Sequence, residues 1–211
     1  MPLGSTVGDA MTIKCSVYCG ASLDGFIARQ DGDIEWLHRP EYATTEATGL
    51  SYEAFIASVD TLVMGRHTFE KVLTFNEWPY EVPVVVLSTT AHEVPKHLAG
   101  KVRLAALSPE DIVKQLAAEG QRHLYVDGGI TIQRFLQARL IHEITVTFLP
   151  VVLGAGIPLF GSTGVETRLK LLEATSSGNG FVQVRYAVEN AAQQTVPADG
   201  LASASLRQDR G

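Results

Sequence analysis

"LVMGRHTFEKV", residues 62–72, starts as an apolar strand and finishes as an amphipathic turn, with Gly65, Arg66, His67 and Thr68 at the join. A glycine there lets a ligand approach the backbone closely, and the free N–H groups of a helix start favour an anion. Thr68 can donate a hydroxyl, and Arg66 offers a planar fork suited to phosphate. The same residues also fit a plain strand-turn-helix with a solvated arginine, so the neighbouring segments have to decide.

Those segments repeat the pattern. Residues 12–20 predict a first strand, followed by a loop (21–37) whose Asp-Gly pairs mark turns, and 50–59 has helical spacing. Then come strand 61–65, a helix from about Thr68 to Leu73, and the β-branched run 82–88, which suits a central strand covered on both faces. Strand 102–107 precedes the clearest helix: Ser108 caps it, Pro109 takes the first turn, Glu110 and Asp111 favour its positive end, and Gly120 stops it. Strand 123–126 feeds a helix near Gly129, 141–153 reads as a long strand, and 168–188 as a hairpin turning at Ser-Gly-Asn-Gly. Such alternation predicts an α/β fold: a mostly parallel sheet with helices on both faces and an antiparallel C-terminal hairpin. Ligands in such folds collect beyond the carboxyl ends of the strands. Four segments fall on that edge: the loop at Asp24, Gly65 to Thr68, Ser88 to Thr90, and Asp127 to Thr131.

Composition narrows the function classes. A chain of 211 residues, 45% hydrophobic, suits one domain, here 11–189, with tails at 1–10 and 190–211 rich in small and polar residues. A net charge of −6 argues against nucleic acid or an anionic membrane as the main partner. No apolar run has the length of a membrane span and no secretion signal is evident, so the chain reads as cytoplasmic. Cys15 and Cys19 lie about 13 Å apart in an extended strand, too far for a disulfide. "HEVPKH" (92–97) has the wrong spacing for a helical zinc site and the histidines form no other ligand pattern, so no required metal is expected.

"VMGRHTFE" (63–70), "VVVLSTT" (84–90) and "LYVDGGITIQRFL" (124–136), in this order, resemble the cofactor side of dihydrofolate reductases. "SLDGFIA" (22–28) and "LPVVLGAGIPLF" (149–160) are similar to relatives of that fold, the reductase domains of riboflavin biosynthesis. The resemblance implies a three-layer αβα fold and NADPH as cofactor. It places Gly65, Arg66, His67 and Thr68 along the adenosine and pyrophosphate, Ser88 and Thr89 near the 2′-phosphate, and Asp127, Gly128, Gly129, Ile130 and Thr131 under the pyrophosphate and nicotinamide. It also makes a cis peptide plausible at the glycine turn, although Asp127 replaces a glycine there. Asp24 is the first candidate for the catalytic contact with substrate, with Asp-Gly turn chemistry as its structural alternative. Glu35, Trp36, Tyr52 and Phe55 are candidate substrate contacts, and core packing is the alternative for the aromatics. Where the resemblance assigns the pterin-binding carboxylate stands Gly49, with Leu50 and Ser51 beside it, so dihydrofolate turnover should be weak or absent. The expected function is an NADPH-dependent reductase of a small heterocyclic or ribityl-type compound. The alternatives are reduction of the riboflavin precursor itself and a non-catalytic NADPH-binding module. A homodimer is expected, because relatives with this late segment commonly pair and the apolar strand 143–153 needs cover.

Overall fold

The computed structural model describes residues 13–43, 49–90 and 93–189; both expected tails lie outside these. The first half runs β1 (Lys14–Ser22), β2 (Phe26–Ala28), α1 (Tyr52–Ile56), β3 (Thr61–Gly65), α2 (Arg66–Val72), β4 (Val84–Leu87) and β5 (Val102–Ala105). The second runs α3 (Pro109–Ala118), β6 (His123–Asp127), α4 (Gly129–Gln137), β7 (Glu143–Leu149), β8 (Ile157–Pro158), β9 (Arg168–Ser176) and β10 (Val182–Glu189).

Eight strands form one sheet in the order β5-β4-β3-β6-β1-β7-β10-β9. Pairing is parallel from β5 through to β7, and β10 and β9 join antiparallel. Side chains alternate across a strand, so each buried strand feeds two cores. Val17, Val63, Leu124 and Val126 pack with Ile112 and Leu116 of α3 and with Ile132 and Phe135 of α4. On the opposite face Leu62, Met64, Val86 and Tyr125 pack with Phe55 of α1 and Phe69 of α2. The α3 start follows its sequence: Ser108 Oγ accepts from the Asp111 N–H at 3.1 Å, with Pro109 in the first turn. Among the described residues no helix is long and apolar enough to cross a membrane. Cys15 and Cys19 are free thiols.

Several expectations need correction. The first loop contains β2, which pairs with β8 as a separate two-stranded sheet. Strand 141–153 stops at Leu149: Pro150 has no N–H for a ladder, and Val151 turns to donate to the Leu149 carbonyl at 2.8 Å. That strand is paired on both sides, so its need for cover disappears; β9 is the open edge on that side of the sheet. β4 is next to an edge rather than central, yet Val84, Val85 and Val86 are all buried. The helix after β3 starts at Arg66, so Gly65 itself is the cap residue. No cis peptide bond occurs among the described residues.

Candidate active site

The four candidate segments do share one edge. β4, β3, β6 and β1 are consecutive neighbours in the sheet: Ser88, Gly65 and Asp127 close their carboxyl ends side by side, and β1 runs on past them to Ser22. There α2 and α4 interlock through a reciprocal exchange. Thr68 of α2 packs against Gly128, where any Cβ would collide with it, while a Cβ on Gly65 would stand 2.7 Å from the Thr131 hydroxyl of α4. Gly128 has φ +88°, a conformation L side chains rarely adopt, and a Cβ on Gly129 would meet the Pro158 carbonyl at 2.9 Å. Neither α2 nor α4 has a capping side chain, whereas Ser51 and Ser108 cap α1 and α3. The α4 start therefore presents uncapped N–H groups beside the Arg66 end of α2.

Beyond Arg66 lies a cavity of about 110 Å³ lined by Arg66, Phe69, Glu70, Val86, Ser88 and Glu93. Arg66 is ion-paired to Glu70 at 3.4 Å, and His67 is the most exposed of the three. Ser88 Oγ donates to the Thr90 carbonyl at 2.9 Å, which folds the segment after β4 back on itself; Thr89 is exposed.

Asp127 ends β6 on the face that carries Tyr125, with Met64 of β3 as its register partner. Its Oδ1 accepts from the Gly128 N–H at 2.8 Å. Burial pushes its carboxyl up to about 6, only partly countered by that bond. Its charge in turn acts on the phenols of Tyr52, Tyr80 and Tyr125, all raised chiefly by burial. The aromatic wall is continuous: Tyr18 stacks on Phe55 at 4.8 Å and meets Tyr52 at 5.8 Å, and Phe55 meets Tyr125 edge-on at 5.0 Å. Trp78 and Tyr80 pack edge to face at 5.4 Å.

Asp24 has other work. One oxygen accepts from Ser22 Oγ at 2.6 Å and from the Leu153 N–H at 3.1 Å, and the other from the Gly154 N–H at 2.7 Å. The Ser22 bond, then the two N–H bonds, hold its carboxyl below the usual carboxylate range. It is thus an ionised clamp that ties the loop after β7 to the end of β1, with no proton to give at neutral pH. Asp24→Ala should speed amide hydrogen exchange at Leu153 and Gly154, with Asp24→Asn intermediate because it keeps one acceptor oxygen. Exchange unchanged in both variants would rule out the clamp.

The remaining substrate candidates divide. Trp36 is 2% exposed and anchors its loop, with an indole N–H that has no partner among the described residues. Phe55 is core, Glu35 is exposed at the start of a short 3-10 turn, and Tyr52, half-buried, is the one that meets the Asp127 site. Of the glycine-turn residues, Thr131 is buried against Gly65 and Ile130 is 55% exposed beside the uncapped start.

The profile of the RibD C-terminal domain family matches residues 15–183. The chain belongs to the RibD C-terminal domain family. The Bacillus subtilis (strain 168) protein YwjB, whose function is uncharacterized, is 33% identical over 179 residues, 83% of this chain and 98% of YwjB. A Shewanella sp. PV-4 structure named for riboflavin biosynthesis is 38% identical with TM-score 0.78, covering 84% of this chain and 99% of that one. The Thermotoga maritima diaminohydroxyphosphoribosylaminopyrimidine deaminase/5-amino-6-(5-phosphoribosylamino)uracil reductase shares the fold at 16% identity and TM-score 0.61, covering 83% of this chain and 56% of that one. The dihydrofolate-reductase-like α/β architecture is therefore that of RibD-type reductase domains. In this RibD C-terminal domain the sequence reading missed Tyr80 and Trp78, which stand in "NEWPYEVP" (76–83). An aromatic pair around a proline was the available signal, but nothing local said that it would fold back toward Asp127.

Proposed function

We propose that the chain is an NADPH-dependent reductase of a small heterocyclic compound, with Asp127 as the proton-managing group. One observation carries the reading: the uncapped start of α4, locked through Thr68 and Thr131 to the Arg66 end of α2, stands beside a half-buried carboxylate. The residues present fit the cofactor. The first N–H groups of α4, freed by a cap residue without a side chain, suit a pyrophosphate. Arg66 and Ser88 border the cavity that would hold the phosphate-bearing adenosine end. When bound, NADPH supplies the hydride.

The chain's own contribution is orientation and a proton. The Gly128 N–H occupies Oδ1 of Asp127, so Oδ2 is the oxygen that can carry the proton. A carboxyl near pH 6 is ionised in part around neutrality, which lets it release a proton to a substrate atom and regain one. Tyr52, Tyr80 and Tyr125 wall that side, and the loop clamped by Asp24 covers α4 through Pro158 and Gly129. Reduction of the riboflavin precursor remains the second reading, favoured by family membership. Loss of turnover with retained binding is the third.

NADPH should bind more tightly than NADH by about 1–3 kcal/mol, the scale of charge-assisted hydrogen bonds to one extra phosphate. Titration calorimetry with both cofactors tests this, and equal affinities would sink the assignment. Steady NADPH oxidation with a pteridine, pyrimidinone or carbonyl panel separates an enzyme from a binding module.

We also propose a homodimer, now on a different strand from the one expected. Leu169, Leu171 and Leu172 of β9 and Val182 of β10 are exposed at the open edge of the sheet, a surface that pairing with a second copy would cover. Light scattering should give twice the chain mass; a concentration-independent monomer would refute it.

A further inference from the structure

We infer that the neutral ring of His142 is an acid-sensitive latch between the start of β1 and the start of β7, closed at neutral pH and opened when its Nδ1 takes up a proton. The latch stands at the amino-terminal edge of the parallel strands, opposite Gly65, Ser88 and Asp127, so it is independent of the reductase reading.

The ladder between β1 and β7 begins at Ser16 and Glu143. Before it, the Lys14 N–H finds its acceptor on the β6 side, the Arg122 carbonyl at 2.8 Å. The next N–H, that of Cys15, points the other way, where β7 has not yet begun. His142 fills that gap twice: its own N–H donates to the Cys15 carbonyl at 2.8 Å, and its ring Nδ1 accepts the Cys15 N–H at 3.1 Å. Its carbonyl also accepts from the Val188 N–H at 2.9 Å, so β10 is tied to the same residue. A backbone N–H only donates, so Nδ1 must keep its lone pair. In an imidazolium both ring nitrogens carry hydrogen, and the Cys15 N–H would face a donor. Cys15 is fully buried, so its orphaned N–H reaches water only if the strand end opens.

The surroundings favour the neutral ring. Burial, then the charges of Lys14 and His123, hold the His142 pKa below its ordinary 6.5, against a bond to the Leu140 carbonyl. From β1 come Lys14, paired with Glu143 of β7 at 3.0 Å, and the Cys15 thiol, which burial pushes up to about 12 and keeps neutral. β6 brings His123 with Arg122 before it, the turn after α4 brings Arg139, and β10 ends in the exposed Glu189. Asp60 is the acid on the β6 side, accepting from the Arg122 and His123 N–H groups at 2.7 and 2.8 Å. His123 itself is no latch. Its Nδ1 donates to the Ser58 carbonyl at 2.8 Å, and its Nε2 lies 2.8 Å from the Ser16 hydroxyl. A hydroxyl either donates or accepts, so His123 can charge without losing a partner. Because the folded chain binds the His142 proton more weakly than the unfolded chain, the stabilisation is fully present above 6.5 and is lost as pH falls through the lower, folded value.

Two measurements on the full chain test the latch. Ring-nitrogen chemical shifts of His142 should show a bare Nδ1 at pH 7.5 and a protonated one at pH 5. Native-state hydrogen exchange, corrected for intrinsic rates, should find the protection of the Cys15 amide lower at pH 5 than at pH 7.5 by at least about tenfold. The reference is the Leu62 amide, which bonds the Pro83 carbonyl at 2.9 Å and reports opening of the whole fold. His142→Asn sets a side-chain oxygen near the place of Nδ1 and cannot titrate, so its Cys15-to-Leu62 ratio should change by less than about twofold. His123→Asn should keep the wild-type drop. An Nδ1 that carries its proton at pH 7.5, a ratio that does not fall in the wild type, a drop as large in His142→Asn, or a drop that disappears in His123→Asn overturns the latch. The shifts and the wild-type exchange decide the matter even if a variant fails to fold.

Discussion

Asp127→Asn is expected to lower kcat/KM for the reduced substrate by about 10²–10⁴-fold, the usual cost of removing a positioned proton donor. The same variant should melt at a higher temperature at pH 8. Asp127 has a carboxyl raised from 3.8 to about 6 in the folded chain, so the folded state holds the proton more tightly than the unfolded one. Stability therefore falls as pH rises between those values, and the cost is fully present above about pH 6. Asparagine keeps the acceptor for the Gly128 N–H and removes the buried charge. At about 1.4 kcal/mol per pKa unit, reduced because Asp127 is only half-buried, the gain is about 1–3 kcal/mol. It should nearly vanish near pH 3, below both values. Thermal melts at the two pH values, run beside NADPH oxidation assays, check both parts. Full activity would remove Asp127 from the chemistry, and a variant no more stable at pH 8 than wild type would remove the burial argument.

Gly128→Ala should destabilise the fold by about 2–4 kcal/mol and abolish measurable NADPH binding. Two costs combine: about 1 kcal/mol or more for a left-handed alanine, and a clash with Thr68 that costs about 1–3 kcal/mol as overpacking. Gly100 provides the control. Its φ is +81° against +88° at Gly128, but a Cβ there meets nothing within 4 Å. Gly100→Ala should therefore show the backbone cost alone and leave NADPH affinity unchanged. For a domain of this size each kcal/mol moves Tm by about 2–4 °C, so denaturation midpoints of the two variants should separate clearly. Equal shifts would mean that the Thr68 contact yields without cost.

Much of the scaffold was legible because its signals are local. The Ser108-Pro109 start and the β-branched run 84–86 each state their element within a few residues, and the order of elements gave the shared edge. β2 and β8 escaped because Phe26–Ala28 and Ile157–Pro158 are strands only by virtue of each other, far apart in the chain. The bonds of Asp24 were illegible for a related reason: Ser22 is local, but the Leu153 and Gly154 N–H groups that complete its bonds come from a distant loop. Asp127 was noticed as part of a glycine turn, yet strand alternation puts its side chain on the Tyr125 face. The sequence pattern could have revealed that had the two been counted along β6 as neighbours on one side. Trp36 and Phe55 show the opposite case, where large aromatics that could have lined a pocket instead fill the interior.

The crossed packing of Thr68 on Gly128 and Thr131 on Gly65 also limits how this edge can diversify. Each glycine is held small by a residue on the opposite helix, so a change at either one is viable only in the company of its counterpart. Gly65→Ala is a dead end alone but becomes passable after Thr131→Gly, and a double-mutant cycle should show strong non-additivity for that pair. The two helix starts are one heritable unit, and descendants of this chain would have to drift there by coordinated steps.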